Sequence, residues 1–253
     1  MKKKKSEQYG GAAGTDIWTR LENLIDKHDI PIRDVLESPA IYARRINLTR
    51  LLAHYELYRM VKDVPGSIVE CGIYQGNSFF AFSKFLEIFH PGDRIRHVIG
   101  FDSFQGLQDF QPEDGPMYPS RSKQQGGWSA KEFKEAFYKL LHIAQEDQFV
   151  PKAARSIVVE GDILQTVPRY VADHPGLRIS LLHLDVDIYK PTLCALEHLY
   201  PRVVSGGLVV LDEYAMMEWG GESSAIEEYF KGKPPRMQKF SWTSTPGGFF
   251  VKE

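Results

Sequence analysis

One couplet recurs along most of this chain: a short apolar run ending in or beside an acid, usually followed by a segment of helical spacing. The runs are Ser67–Cys71, Val98–Asp102, Ile157–Glu160, Ile179–Asp185 and Leu208–Asp212. Runs this short with no polar alternation read as strands buried on both faces. The spacing predicts helices over 77–89, 130–144, 191–199 and 223–230. Strands covered on both faces by crossover helices imply an α/β, doubly wound, mostly parallel sheet. Near the C-terminus, Gln238–Thr243 and Phe249–Lys252 flank a Thr245-Pro246-Gly247-Gly248 turn, a hairpin signal. The expected sheet is therefore seven-stranded, with a C-terminal antiparallel hairpin.

Upstream of the sheet the pattern changes. Residues 1–16 are polar and glycine-bearing and are expected to be a disordered tail. Residues 17–66 read as an N-terminal helical lid. Ile17, Trp18, Leu21, Leu24 and Ile25 form one stripe, and a longer helix is expected from Asn47 to Asp63. Residues 67–253 form the expected ligand-binding domain. Within it, residues 104–129 are rich in Gly, Pro, Gln and Ser, a length and composition that suggest a functional lid.

Charge narrows the partners. The 31 basic and 33 acidic residues leave a net charge of −2. No global positive field exists to neutralise phosphates, so nucleic acid is not an expected partner. The run Lys2 to Lys5 reads as a solvated terminus. No apolar stretch approaches the ~18 residues of a membrane span, and a cytoplasmic protein is expected. Cys71 and Cys194 lack metal-site or disulfide-framework spacing and read as small core residues.

In doubly wound sheets, ligands bind beyond the carboxyl ends of the strands. After the first strand the chain reads Glu70-Cys71-Gly72-Ile73-Tyr74-Gln75-Gly76-Asn77-Ser78. Glycines let backbone approach a ligand, and the following helix start offers free N–H groups. An acid at this mouth disfavours a pyrophosphate and tolerates a zwitterion. Glu70, Gly72, Tyr74, Gly76, Asn77 and Ser78 are the candidate binding residues of this loop. Asp102 and Ser103 follow the second strand, where a carboxylate can accept ribose hydroxyls. Glu160, Gly161 and Asp162 follow the third, where an acid can accept from an adenine amino group. Each acid has an alternative role as a turn or helix-cap residue. Taken jointly they favour an adenosine-like ligand without phosphates, and S-adenosylmethionine fits.

A second acidic cluster is expected at the ends of the fourth and fifth strands: Asp185, Asp187, Asp212 and Glu213. Crowded carboxylates repel, and a divalent cation resolves the conflict. All-oxygen ligation suits Mg²⁺, or Mn²⁺ in its place. The competing role is capping of the following helices. If the strand continues, alternation turns Asp185 and Asp187 the same way. His183 reads as a core or supporting residue.

The stretches Val69–Ser78, Gly100–Gly106, Leu182–Thr192 and Ser205–Gly207 resemble the macrocin O-methyltransferase family, from about Arg44 to the C-terminus. The resemblance implies a class I, Rossmann-like methyltransferase fold, S-adenosylmethionine as donor, Mg²⁺ as activator and a sugar hydroxyl as acceptor. It also implies Asp185, Asp212 and Glu213 as metal ligands, Asp185 beside the donor, Asp187 as general base, and a homo-oligomer. Glu213 departs from the family pattern, which carries a second aspartate there. Rival readings are a phenol or catechol methyltransferase, a metal-dependent hydrolase, a nicotinamide dehydrogenase and a non-catalytic nucleoside-binding module. The missing G-x-G-x-x-G argues against the dehydrogenase.

Overall fold

A computed structural model describes residues 12–150 and 153–253. It divides into two compact units, Met1–Leu48 and Thr49–Glu253. The first holds α1 (Ala12–Lys27), α2 (Ile32–Glu37) and α3 (Pro39–Tyr42), separated at the prolines that the sequence marks as breaks. Neither α2 nor α3 has a buried residue. Helix α1 starts at Ala12, five residues before the expected onset; residues 1–11 of the expected tail lie outside the described residues.

Helix α4 (Arg45–Val61) crosses the division, and its body belongs to the second unit. Ala53, His54, Leu57, Tyr58 and Val61 are buried there. The division between the two compact units falls after Leu48, within α4. Leu57, Tyr58 and Val61 pack in one cluster with sheet residues, which makes α4 part of the sheet's cover.

The sheet contains β1 (Ser67–Cys71), β2 (Val98–Asp102), β3 (Ser156–Glu160), β4 (Ile179–Leu184), β5 (Val203–Leu211) and β6 (Gly248–Val251), in the order β3-β2-β1-β4-β5-β6. The first five are parallel and β6 is antiparallel to β5. Alternation sorts the side chains to two faces. Val69, Cys71, Ile99 and Phe101 pack with α7 (Ile163–Asp173), α8 (Tyr189–Leu199) and α9 (Gly220–Tyr229). Ile68, Val98, Leu181 and Val210 pack with α4, α5 (Asn77–Phe89) and α6 (Lys134–Glu146). The register puts Cys71 opposite both Phe101 and Leu184, and Leu184 opposite Leu211, so the carboxyl ends lie level.

Two elements depart from the sequence expectation. Helix α7 was not foreseen; it carries Pro168 in its interior, yet Ile163, Val167 and Val171 make one buried stripe that holds it to the sheet. The sheet has six strands among the described residues, not seven. Gln238 makes only an isolated bridge to Phe249. The Gly247 N–H donates to the Asp212 carbonyl at 2.7 Å, which pulls the turn against the end of β5. The apolar residues expected in the missing strand find ring partners instead: Phe240 lies against Phe249 and Trp242 stacks on Phe240, at 5.0 and 5.4 Å.

Candidate active site

The loop between β1 and α5 is shaped from below. Gly72 has φ 91°, and a Cβ there would come within 1.7 Å of the Asp185 carbonyl oxygen. Only glycine lets this loop pass so close to the end of β4. Asp102 then fixes the loop's course. Its Oδ2 accepts from the Ile73 and Tyr74 amides, both at 2.7 Å, and its Oδ1 accepts from the Phe104 amide at 2.6 Å. Tyr74 is held at φ 51°. Burial pushes the Asp102 carboxyl up, while these three amides pull the other way.

Glu70 does not line the mouth of the loop. Alternation places it on the α4/α5 face beside His183, its register partner on β4. It is fully buried; its Oε1 accepts from Ser78 Oγ and meets His183 Nδ1 at 3.1 Å. Ser103 Oγ accepts from the Gln105 amide at 3.1 Å. Glu160 accepts from Lys134 Nζ and, at 3.0 Å, from the Tyr138 hydroxyl. Asp162 caps α7 by accepting from the Leu164 amide at 3.0 Å, and the Gly161 amide donates to the Asp102 carbonyl at 2.9 Å. Asn77 is the first residue of α5, behind Gly76 in a left-handed conformation.

At β4 and β5 the acids are crowded. β4 ends at Leu184, so strand alternation does not extend to the two aspartates; Asp187 instead takes φ 62°. That turn brings carboxylate oxygens of Asp185, Asp187 and Glu213 within 4.8 Å of one another. Burial pushes the Asp187 carboxyl up to about 7, against a hydrogen bond with Glu213 that lowers it. Burial and neighbouring acids raise Asp185 and Glu213 well above the usual carboxylate range. Asp212 goes the other way. Burial opposes its charge, but Arg50 and His183 hold it ionised.

Arg50, from the first turns of α4, reaches into this cluster. Its Nη2 donates to Asp185 Oδ2 at 2.7 Å, and its Nη1 to Asp212 Oδ2 at 2.8 Å and to Thr245 Oγ1 at 2.8 Å. Glu222, fully buried on α9, accepts from the Glu213 amide at 2.9 Å. Asp212 Oδ1, Glu213 Oε2 and Glu222 Oε1 are buried without a hydrogen-bond partner. Buried acceptors in that condition fit a cation or ordered water. All are hard oxygen donors, as magnesium prefers.

The 104–133 segment stands beside the cluster as a tied wall. Asp114 is buried; its Oδ1 accepts from the Tyr189 amide at 2.6 Å and its Oδ2 from the Gln111 amide at 2.7 Å. Lys123, also buried, donates to the carbonyls of Asp114 and Glu218. Leu107, Ile188 and Trp219 pack together with Trp128 against them. Trp128 meets Tyr74 edge-on at 5.5 Å.

The structure thus brings Asp185, Asp187, Asp212 and Glu213 together, as expected. It puts Asp102, Asp162 and Glu70 to work on backbone, helix end and core. Sequence reasoning missed Arg50, Glu222, Asp114 and Lys123. Glu222 had a signal in the Gly220-Gly221 pair before it: a Cβ on Gly221 would lie 2.3 Å from Asp114 Oδ1. Arg50 had none, since no local pattern on α4 marks one arginine from another.

A parallel sheet in this order, with a glycine loop after β1 and acids at the strand ends, defines an α/β class I methyltransferase-like fold. The chain belongs to the macrocin-O-methyltransferase (TylF) family, which it matches over residues 44–235. It is 29% identical over 184 residues to the 8-demethyl-8-(2,3-dimethoxy-alpha-L-rhamnosyl)-tetracenomycin-C 4'-O-methyltransferase of Streptomyces olivaceus, covering 70% of this chain and 65% of that one. It is 26% identical over 186 residues to the mycinamicin III 3''-O-methyltransferase of Micromonospora griseorubida, covering 70% and 67%. The first of these matches spans just under two thirds of the relative's length. The crystal structure of CalS11, a calicheamicin methyltransferase, superposes with a TM-score of 0.85 at 28% identity, covering 96% of this chain and 94% of that one. Among the described residues no helix is long and apolar enough to cross a membrane.

Proposed function

We propose that this chain is an S-adenosylmethionine-dependent O-methyltransferase acting on a hydroxyl of a sugar, either nucleotide-linked or already attached to a natural product. The observation that carries the reading is the convergence of Asp185, Asp187 and Glu213, with Asp212 adjoining, where β4 and β5 end beside the Gly72 loop. The named acceptors of relatives agree: one structure similar to this chain is that of a TDP-rhamnose 3'-O-methyltransferase.

The donor's place is the rim formed by Gly72, Tyr74, Gly76, Asn77, Ser103, Gly161 and Asp162, with Asp185 at its inner end. Asp102, Glu70 and Ser78 hold that rim in shape. Bound there, S-adenosylmethionine supplies an electrophilic methyl group. Asp185, Asp212 and Glu213 would hold Mg²⁺ or Mn²⁺, which supplies positive charge beside the acceptor oxygen. Asp187 takes the proton from the attacking hydroxyl. Its raised pKa suits that task, because a base titrating near neutrality is ionised at working pH yet still basic. Its left-handed backbone aims the carboxylate into the cluster. The wall of residues 104–133 shields this corner from water.

The test is mass spectrometry of reactions with labelled methyl donor, Mg²⁺ and a panel of nucleotide sugars, glycosides and phenols. A single added methyl on a sugar-bearing acceptor is the expected result. Transfer to phenols alone would move the acceptor class, and cleavage of a phosphoester without donor would replace the reaction. We also propose a homo-oligomer in the cytoplasm. Ile32, Leu36 and Ile41 on the N-terminal helices are each more than 70% exposed, which favours a covering subunit. Light scattering on the purified chain reads the subunit count directly.

A further inference from the structure

Arg50 contacts two of the carboxylates that the proposed cation would use. Its guanidinium spans Asp185 Oδ2 and Asp212 Oδ2 at 2.7 and 2.8 Å, with Thr245 Oγ1 steadying the Nη1 side. A guanidinium and a divalent ion want the same carboxylate oxygens: the first binds them through planar N–H donors, the second as a hard Lewis acid. A metal ion holding both oxygens at its own short bond lengths would stand where the guanidinium nitrogens stand. The other cluster oxygens differ. Glu213 Oε2 is buried without a hydrogen-bond partner, and it gathers with the Asp187 and Asp185 carboxylates.

We propose that Arg50 is a tethered counter-ion of the carboxylate cluster, a positioning residue that competes with the divalent cation for Asp185 and Asp212 and is displaced when both become ligands. This rests on the cation reading given above. The consequence is a defined exchange. With Arg50 in place, Asp212 is tied to α4, and the donor set gathered within ligand distance is Asp185, Asp187 and Glu213. With Arg50 withdrawn, Asp212 joins Asp185 and Glu213, and Asp187 is left to act on the acceptor. Arg50 sits on the first turns of α4, so cation loading and the conformation of that helix become linked. It also keeps acids that would otherwise repel each other neutralised, which protects the fold at low cation concentration.

The experiment is titration of the full chain with Mn²⁺, read by calorimetry and by the electron spin resonance of free Mn²⁺, for wild type, Arg50→Gln and Thr245→Val. Neither readout depends on turnover. Arg50→Gln removes the competitor and is expected to tighten Mn²⁺ binding by about tenfold or more. Thr245→Val keeps every charge and only loosens the guanidinium, so about two- to threefold tightening is expected, and it covers the case that Arg50→Gln does not fold. In wild type, nitrogen NMR is expected to show the hydrogen-bonded Arg50 Nη signals lost as Mn²⁺ or diamagnetic Mg²⁺ is added. Wild-type binding with equal or weaker binding by both variants would overturn the displacement idea and leave the cation site standing. No binding by wild type or either variant would overturn the cation site itself. Binding by the variants alone would support the competition in its strongest form.

Discussion

The two halves of the sheet carry acids at the same height and use them oppositely. On the β1–β2–β3 side each acid has partners. Asp102 takes three backbone amides, Glu160 takes Lys134 and Tyr138, and Glu70 holds Ser78 and His183 through Oε1, with only its Oε2 left without a partner. On the β4–β5 side four acids share too few donors. Asp185, Asp187 and Glu213 have raised pKa values, and only Asp212 is held ionised. A satisfied carboxylate builds shape; an under-satisfied cluster stores the capacity to bind a cation or move a proton. In the proposed function, the first half would make the rim for a nucleoside and the second would do the chemistry.

Substitutions on the two sides should therefore fail differently. The largest effect is expected from Asp187→Asn, which removes the proposed proton acceptor. Turnover should fall by about 10²–10⁴-fold with donor affinity, measured by calorimetry, near wild type. Turnover within threefold of wild type would take the base role from Asp187. Next, chelation with EDTA should stop methyl transfer and added Mg²⁺ restore it; full activity after exhaustive chelation would remove the cation from the β4–β5 side. Third, Asp102→Ala should act through the fold. Three amides lose their acceptor, so a stability loss of about 1–3 kcal/mol in urea unfolding is expected, together with weakened donor binding. If activity fell while stability and donor affinity held, the division between the halves would be wrong.

The smallest effect concerns pH. Asp187 is protonated more readily folded, with a pKa of about 7, than its ordinary 3.8. Between these values the folded state holds more protons, so its contribution is present below the unfolded pKa and lost as pH rises toward 7. His183, raised to about 10 chiefly by Asp212 and Glu70 against its burial, contributes stability that is lost between its ordinary 6.5 and about 10. Asp187→Asn should thus flatten the melting temperature profile between pH 4 and 7 and raise it by a few degrees at pH 8. An unchanged profile would show that the cluster carries no repulsive load.

The parts of the fold legible in the sequence were those governed by local pattern. Helix α5 was expected over the residues it occupies, because a glycine turn precedes Asn77 and apolar spacing runs to Phe89. The parallel strands were legible because burial on both faces leaves no polar residue to confuse the period. Helix α7 is hidden in the sequence by Pro168, and the seventh strand is absent among the described residues because ring packing by Phe240 and Trp242 replaces the ladder that the Thr245–Gly248 turn suggests. In the site, the Asp185–Asp187 motif and Asp212–Glu213 were readable, since strand ends converge in any such sheet. Their expected shared direction was reached by a left-handed turn at Asp187 rather than by strand pleat.

By itself the order of residues determined the parallel sheet, the glycine approach after β1 and the presence of acids at the ends of the parallel strands, since periodicity and strand direction are local matters. Tertiary structure alone decided which acids are free to work. Glu70 turned inward because its pleat face is covered by α4 and α5, and Asp102 turned to the loop because three amides point at it. Arg50 entered the cluster because a helix far upstream in sequence lies across the end of β4. Partner choice among charges depends on distances of a few ångströms between segments remote in the chain, and no local pattern records them.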